Sequence, residues 1–334
     1  LIDFPLSNMV NSGIINVGIF FFIKFRSLLD HLGPGKAWDL DRKRDGLFLL
    51  PPAQSYESNK LYRGDVDNLL ANLDYLERSS QDYVIISSSN VICNIDFNKA
   101  FDYHLNSNAD ITAIYKQVST SEQSKNQTVI ETDNDNNITE MKVKPDRQIY
   151  NKIALEKFIM KKDLLIDIID DCSSKGNWDF IKDGIIRNLN KYTIKAFPFK
   201  GYIANINSLA SYFNNSLELL DSKTRDDIFF KNQIYTKAKD EAPTKFSDRG
   251  QAKNIIAANG CIIEGEVENS ILFRGATIKR GAQVKNSIIM QKTTVGRNAK
   301  LENVITDKNA QIKNNTELKG TKNFPVVKKK NAIV

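Results

Sequence analysis

Histidine is nearly missing from this sequence. Only His31 and His104 occur among 334 residues, which argues against multi-histidine metal sites and leaves little for a Ser-His-Asp machine. Cysteine is scarce as well. Cys93, Cys172 and Cys261 are odd in number, widely spaced and without a CxxC pair. That argues against a disulfide framework or a zinc site and suits a reducing, cytoplasmic compartment. No apolar run approaches the ~20 residues of a membrane span; the longest, Ile19 to Ile23, stops at Lys24. No signal peptide is visible, and the first residue is Leu1 rather than Met.

What is present is an ordinary globular composition, 41% apolar and 26% charged, in a chain long enough for two cores. The net charge of +7 is spread along the chain, with one cluster at Lys328, Lys329 and Lys330. This cluster reads as a solvated tail rather than a nucleic-acid contact. A polyanionic small molecule or a partner chain is the other use of such a balance.

The first ~215 residues alternate strand-like and helix-like segments. NVGIFFFI (16–23) reads as a strand, FRSLLDHL (25–32) as a helix closed by Gly33-Pro34-Gly35, and VDNLLANLDYLERS (66–79) as a helix on its leucine spacing. A strand at 83–86, a helix near 98–106 and a strand at 110–118 follow. Residues 119–137 are polar and read as an exposed loop or hairpin tip, and 155–170 as a strand running into a helix. The alternation predicts a mostly parallel, doubly wound α/β sheet, whose ligands bind beyond the carboxyl ends of strands. Ser87, Ser88, Ser89 and Asn90 lie at such an end.

The last eighty or so residues are an internal repeat. Glu264-Gly265-Glu266-Val267, Gly281-Ala282-Gln283-Val284, Asn298-Ala299-Lys300-Leu301 and Asn315-Thr316-Glu317-Leu318 succeed one another at 17 residues. Cys261, Ile278, Val295 and Ile312 stand six residues before each final apolar residue, and the triplets starting at Asn269, Asn286 and Asn303 share the period. Three short strands per coil, one inward apolar residue per hexad and small corner residues predict a left-handed parallel β-helix of hexapeptide repeats. The segments are therefore drawn as a nucleotidyltransferase-like domain over 1–220, a linker over 221–250 and the β-helix over 251–334.

Six stretches in order carry a resemblance: IDFPLSNMVNSGIINVGIF, LYRGDVDNLL, the Val143-Lys144-Pro145 tripeptide, WDFIKDGII, FPFKGYIANINSL and DEAPTKF. Together with the terminal repeat they resemble the ADP-glucose pyrophosphorylases (glucose-1-phosphate adenylyltransferases) of bacterial glycogen synthesis. The resemblance implies a Rossmann-like, GT-A-like nucleotidyltransferase domain followed by the β-helix. It also implies a reaction of ATP with glucose 1-phosphate that gives ADP-glucose and pyrophosphate and uses Mg²⁺. Positioning and cations supply most of the catalysis in such a reaction. The family opens with a central strand and a Gly-rich basic loop that cradles phosphates. Neither is present, so tens of residues are expected to precede Leu1 in the natural protein, and the core is expected to be open where that strand lies.

The departures from the family matter most. Its two metal-binding aspartates fall on Asn90 and Asn205, neutral amides that carry no negative charge. No Mg²⁺ is therefore expected on this chain, and no catalytic residue set is intact. The resemblance implies substrate-contact positions at Tyr62, Gly64, Asp67 and Lys144, with Asp65 adding a negative charge near the nucleotide and Val143 replacing a sugar-binding carboxylate. These departures, with WDLDRKRDGLFLLPP (38–52), point to the GlgD-type branch of non-catalytic or weakly catalytic subunits. Its partner would be a catalytic GlgC-type chain, in a heterotetramer or homo-oligomer, with a nucleotide or sugar phosphate as possible ligand and neither nucleic acid nor membrane. The alternative is an active nucleotidyltransferase whose metal site is rebuilt from Asp65, Asp67 and Asp96. A hexapeptide-repeat acyltransferase would use a histidine near its β-helix, and none follows His104. Asp179 and Lys182 read as a helix cap, and His31 as a helix-terminal residue rather than a base.

Overall fold

The computed structural model describes residues 1–21, 25–52, 63–119, 127–146 and 150–334. They form two compact units, one of 1–203 with 231–237 and one of 204–230 with 238–334. These units do not follow the segment bounds drawn from the sequence. Helices in 204–230 join the β-helix, and 231–237 returns to the first unit, where Tyr235 packs with the Trp38 cluster.

The first unit is α/β. Its strands are β1 (Asn16–Phe20), β2 (Gly46–Leu50), β3 (Tyr83–Ser87), β4 (Val91–Ile92), β5 (Ile111–Gln117), β6 (Thr128–Thr132), β7 (Ile138–Val143), β8 (Lys152–Lys161) and β9 (Ile194–Pro198). Its helices are α1 (Asp3–Asn11), α2 (Arg26–Leu32), α3 (Asp65–Ala71), α4 (Leu73–Glu77), α5 (Phe97–Asn106) and α6 (Lys162–Ser174). The strand directions are mixed. β1 runs parallel to β2 and β5 parallel to β9, whereas β3, β5 and β6 all run antiparallel to β8 and β7 antiparallel to β6. The polar stretch 119–137, read as an exposed loop or hairpin tip, supplies β6 and the turn, and β6 and β7 form a hairpin in the sheet. Thr128, Val129 and Ile130 are buried in it, and Asp133 closes its turn by accepting from the Asp135 and Asn137 amides. The single helix read over 66–79 breaks at Asn72, whose Nδ2 donates to Asn68 O and Pro51 O.

Two apolar layers sandwich the main sheet. One gathers Val66, Ile111, Phe158, Leu165 and Phe180; the other gathers Val91, Cys93, Phe97, Leu155 and Ile159. Among the described residues β1 pairs only with β2, and β3 only with β8. Every residue of β1 and of β3 lines one cavity of about 890 Å³. The core is thus open between two unpaired strand edges.

His104 on α5 is buried, with Nδ1 2.9 Å from Thr112 Oγ1 and the Tyr83 ring edge-on. Burial pushes its pKa below the usual 6.5, against a smaller upward pull from Asp110 and with a smaller downward push from Lys161. An imidazole of lowered pKa is neutral in the fold and takes up a proton more readily when unfolded. Its contribution is whole above pH 6.5 and is lost as pH falls through the folded value. His104→Gln is expected to flatten the decline of the urea midpoint below pH 6.5, measured by circular dichroism at a series of pH values.

The second unit is a parallel β-helix. Val267, Val284, Leu301 and Leu318 form one rung, and Ile271, Ile288 and Ile305 another. The 17-residue spacing is seen in those rungs. The first coil differs: Ile263, not Cys261, stands in register with Ile278, Val295 and Ile312. Cys261 is buried beside the rung and donates its thiol to Phe273 O. Asn269, Asn286 and Asn303 turn the corners at φ of 47°, 46° and 53°, a region asparagine tolerates better than most residues. Between them Ser270 Oγ accepts from Ser287 N, and Ser287 Oγ from Val304 N. The helices α7 (Leu209–Glu218) and α8 (Ser222–Phe229) also belong here, with Phe213 seated on Ile288 and Ile305. Lys328 ends a strand paired with Val304–Thr306, so the lysine cluster is not a free tail.

Candidate functional site

The strand β3 climbs to its end against β8, with Ser87 opposite Lys157 and one further bond from Ser88 N to Glu156 O at 3.2 Å. The chain then turns through Ser88, Ser89 and Asn90 into β4. The α1 helix holds the outgoing segment. Asn8 Nδ2 donates to Cys93 O at 2.9 Å, Asn8 Oδ1 accepts from Ile95 N at 3.2 Å, and Ser12 Oγ accepts from Phe97 N at 2.9 Å. The PLSNMVNS stretch is therefore a positioning device for the turn that carries Asn90.

The open cavity reaches this turn, since Ser87, Ser88, Ser89 and Asn90 line it together with Asp65 and Glu156. Its described lining holds two carboxylates and no lysine, arginine or histidine. Such a lining repels phosphate unless a metal or a basic loop offsets it. Ser88 Oγ and Asn68 Oδ1 are buried there without a hydrogen-bond partner among the described residues.

Two residues here escaped the sequence reading. Glu156 sits in mid-strand at φ 52°, a conformation a non-glycine residue adopts rarely and one that stores strain at functional positions. Its Oε1 accepts from Thr128 Oγ1 at 3.1 Å, and the β5–β8 register shifts beside it, between Ala113 and Tyr115. Lys157, next in the chain, is 1% exposed and points to the other face. Its Nζ donates at 3.4 Å to Ser88 O and to Val91 O. Burial pushes its pKa down, against smaller upward pulls from Cys93 and Glu156; burial likewise raises the Cys93 thiol. The available signal was an adjacent acid and base inside the apolar run Ile153 to Met160.

The other named positions are spread over the molecule. Asp67 is buried and bound to Arg63 Nη2 at 2.5 Å, and the Arg63 guanidinium lies 3.5 Å over the Trp178 ring. Gly64 is needed for close approach, because a Cβ there would stand 2.1 Å from Trp178 O. Tyr62 lies outside the described residues. Lys144, at φ 51°, lines a separate cavity of about 660 Å³ with Lys142, Lys182 and Tyr150. Lys142 is bound there to Glu140 and Tyr150, which hold its pKa above the usual lysine value. Asp179 accepts from Lys182 N as a cap, and His31 Nε2 bonds Asp3 Oδ1 at 2.6 Å. Asn205 belongs to the second unit, in the short strand Ala204–Asn205.

These residues do not fit a divalent cation held by carboxylates. Mg²⁺ is anchored by charged oxygens, and Asn90 and Asn205 offer neutral ones. Asn205 Oδ1 is buried without a partner among the described residues. Of the three replacement acids, Asp67 is engaged by Arg63, Asp96 caps α5 through Asn98 N, and Asp65 lines the cavity wall. Among the described residues no group of three or more His, Cys, Asp or Glu side chains is placed to hold a metal. No helix among them is long and apolar enough to cross a membrane.

A profile of the Nucleotidyl transferase family matches residues 1–263, and one described as GlmU-like, C-terminal hexapeptide matches residues 241–322. Glycogen biosynthesis protein GlgD of Bacillus subtilis (strain 168) is 38% identical over 285 residues, covering 85% of this chain and 72% of the relative. The GlgD of Geobacillus stearothermophilus is also 38% identical, over 84% of this chain and 72% of its own length. Glucose-1-phosphate adenylyltransferase of Thermosipho melanesiensis (strain DSM 12029 / CIP 104789 / BI429) is 34% identical, over 84% and 69% respectively.

Proposed function

Because this chain belongs to the nucleotidyltransferase family that contains GlgD and glucose-1-phosphate adenylyltransferase, we propose that it is a regulatory subunit in glycogen biosynthesis, non-catalytic or weakly catalytic. Its partner on this reading is a catalytic glucose-1-phosphate adenylyltransferase chain, in a mixed oligomer in the cytoplasm. The nucleotidyltransferase-like part and the β-helix would together form the contact surface, without Mg²⁺ bound by this chain.

One observation carries the reading. The turn after β3 carries Asn90, a neutral amide, at the position that the resemblance assigns to a metal-binding acid of the family. Phosphoryl transfer needs positive charge where the phosphoryl oxygens gather it. A side chain that cannot anchor the cation supplying that charge supports a lost reaction, and a retained scaffold supports a role exerted through a partner. Such a role requires contacts that differ between two states of the partner.

The test is pyrophosphate release from ATP and glucose 1-phosphate with Mg²⁺, by the natural full-length protein alone and with the catalytic chain. Alone it is expected to be at least about a hundredfold slower than the catalytic chain, since ~3 kcal/mol of lost metal stabilisation is worth that factor. Added to the catalytic chain it is expected to change KM or kcat by roughly fivefold or more, the usual scale of coupling between sites. Comparable turnover alone would instead establish an active enzyme with a rebuilt metal site. An unchanged partner would remove the regulatory role.

A further inference from the structure

Lys157 is a buried cation on β8. It lies on the face of β8 that carries Leu155 and Ile159, inside the cluster of Val91, Cys93 and Ile95. Its amine reaches only two backbone carbonyls, and it makes no ion pair with a carboxylate among the described residues. A methionine or leucine would fill that place without desolvating an amine. Packing therefore gives no reason for the residue, but its contacts do. Ser88 O and Val91 O bracket Asn90, so the amine is bound to both ends of the turn at the family's metal position.

We propose that Lys157 is a positioning residue that locks the Ser88–Val91 turn from the core side and keeps a divalent cation out of it. The inference rests on the reading above, in which Asn90 and Asn205 stand where catalytic relatives hold the metal. It adds a second barrier to metal binding behind the lost carboxylates. A carboxylate restored at position 90 would stand on a turn pinned at both ends, whose oxygens cannot shift into the near-ideal octahedron that a small divalent cation demands. Exchange of the two asparagines would then leave the turn closed, and the lysine must go as well.

The measurement is Mn²⁺ affinity, by electron paramagnetic resonance titration, on the full chain. Four forms are compared: the unaltered protein, Asn90→Asp with Asn205→Asp, and that pair combined with either Lys157→Met or Lys157→Gln. Removing the lysine is expected to tighten Mn²⁺ at least tenfold over the carboxylate pair alone. The glutamine form gives the same comparison if the methionine form does not fold. Equal affinity with and without Lys157, including no binding in either, overturns the proposal, as does tight Mn²⁺ binding by the unaltered protein. Turnover by the unaltered chain would remove the non-catalytic reading while leaving this comparison intact. Equal affinities would remove the role of Lys157 and leave the subunit reading standing.

Discussion

Val284→Asp is expected to prevent the β-helix from folding. Val284 is fully buried between Val267 below and Leu301 above it on one rung. A coil of this kind buries its apolar face only against its neighbours, so a fault in one coil unsettles the two beside it. The new carboxylate would lie among Ala282, Ile289 and Ala299 with no cation in the cluster. An unpaired buried charge of this kind costs upwards of ~4 kcal/mol, among the largest effects a single substitution has. Val284→Ala leaves only a small void and is expected to cost about 1–3 kcal/mol. Lys285→Ala removes an exposed cation 3.6 Å from Glu268 and is expected to cost less than about 1 kcal/mol. Thermal melting followed by circular dichroism orders the three. A Val284→Asp protein that melts like the unaltered one would show that the rungs are not stacked as described.

That unit was the most legible part of the sequence, because its geometry repeats. One inward residue per hexad leaves a period that no packing elsewhere can disguise, and the rungs at Val267, Val284, Leu301 and Leu318 follow it. The slip in the repeat itself, Cys261 read in place of Ile263, occurs where the period fails. Ile263 lies 15 residues before its partner Ile278, whereas later coils keep 17. Strand direction in the first unit was less legible. Apolar periodicity reports which residues are buried but not which way a strand runs. β8 takes antiparallel neighbours on both sides through pairings distant in sequence, and the hairpin's second strand buries Ile138 and Met141 three residues apart rather than in alternation.

The candidate site divides in the same way. Asn90 is singled out only by the resemblance, since an asparagine in a loop has no signature of its own. Asp67 and Gly64 could be found but not interpreted. The Asp67–Arg63 ion pair is local, four residues apart, but the stacking of Arg63 on Trp178 and the approach of Gly64 to Trp178 join segments more than a hundred residues apart, and no local pattern announces them. Glu156 and Lys157 leave a local mark, two charges in an apolar strand, but sequence offers no means of seeing that they face opposite sides of the sheet. Glu156 lines the cavity and the Lys157 amine enters the core, and the turn bearing Asn90 is bonded to the Glu156 backbone carbonyl and to that amine.

Asn8→Ala is expected to loosen that turn more than any substitution within it. The side chain satisfies two buried backbone groups at once, the Cys93 carbonyl and the Ile95 amide, and is itself 1% exposed. Alanine leaves both groups unpaired in an apolar layer, at about 1–3 kcal/mol for each, so a loss of roughly 2–6 kcal/mol is expected from the urea midpoint. Asn11→Ala, three residues on, gives the comparison. Its amide donates to Gln233 O on the exposed side of the same helix, where water replaces the lost bond, and less than about 1 kcal/mol is expected. Hydrogen exchange separates local from global effects. Asn8→Ala is expected to speed exchange at Val91 to Ile95 before the β5–β8 ladder responds, because the contact lies at the edge of the sheet rather than within it. Equal acceleration across both regions would mean that Asn8 supports the whole layer and that the turn has no separate fastening.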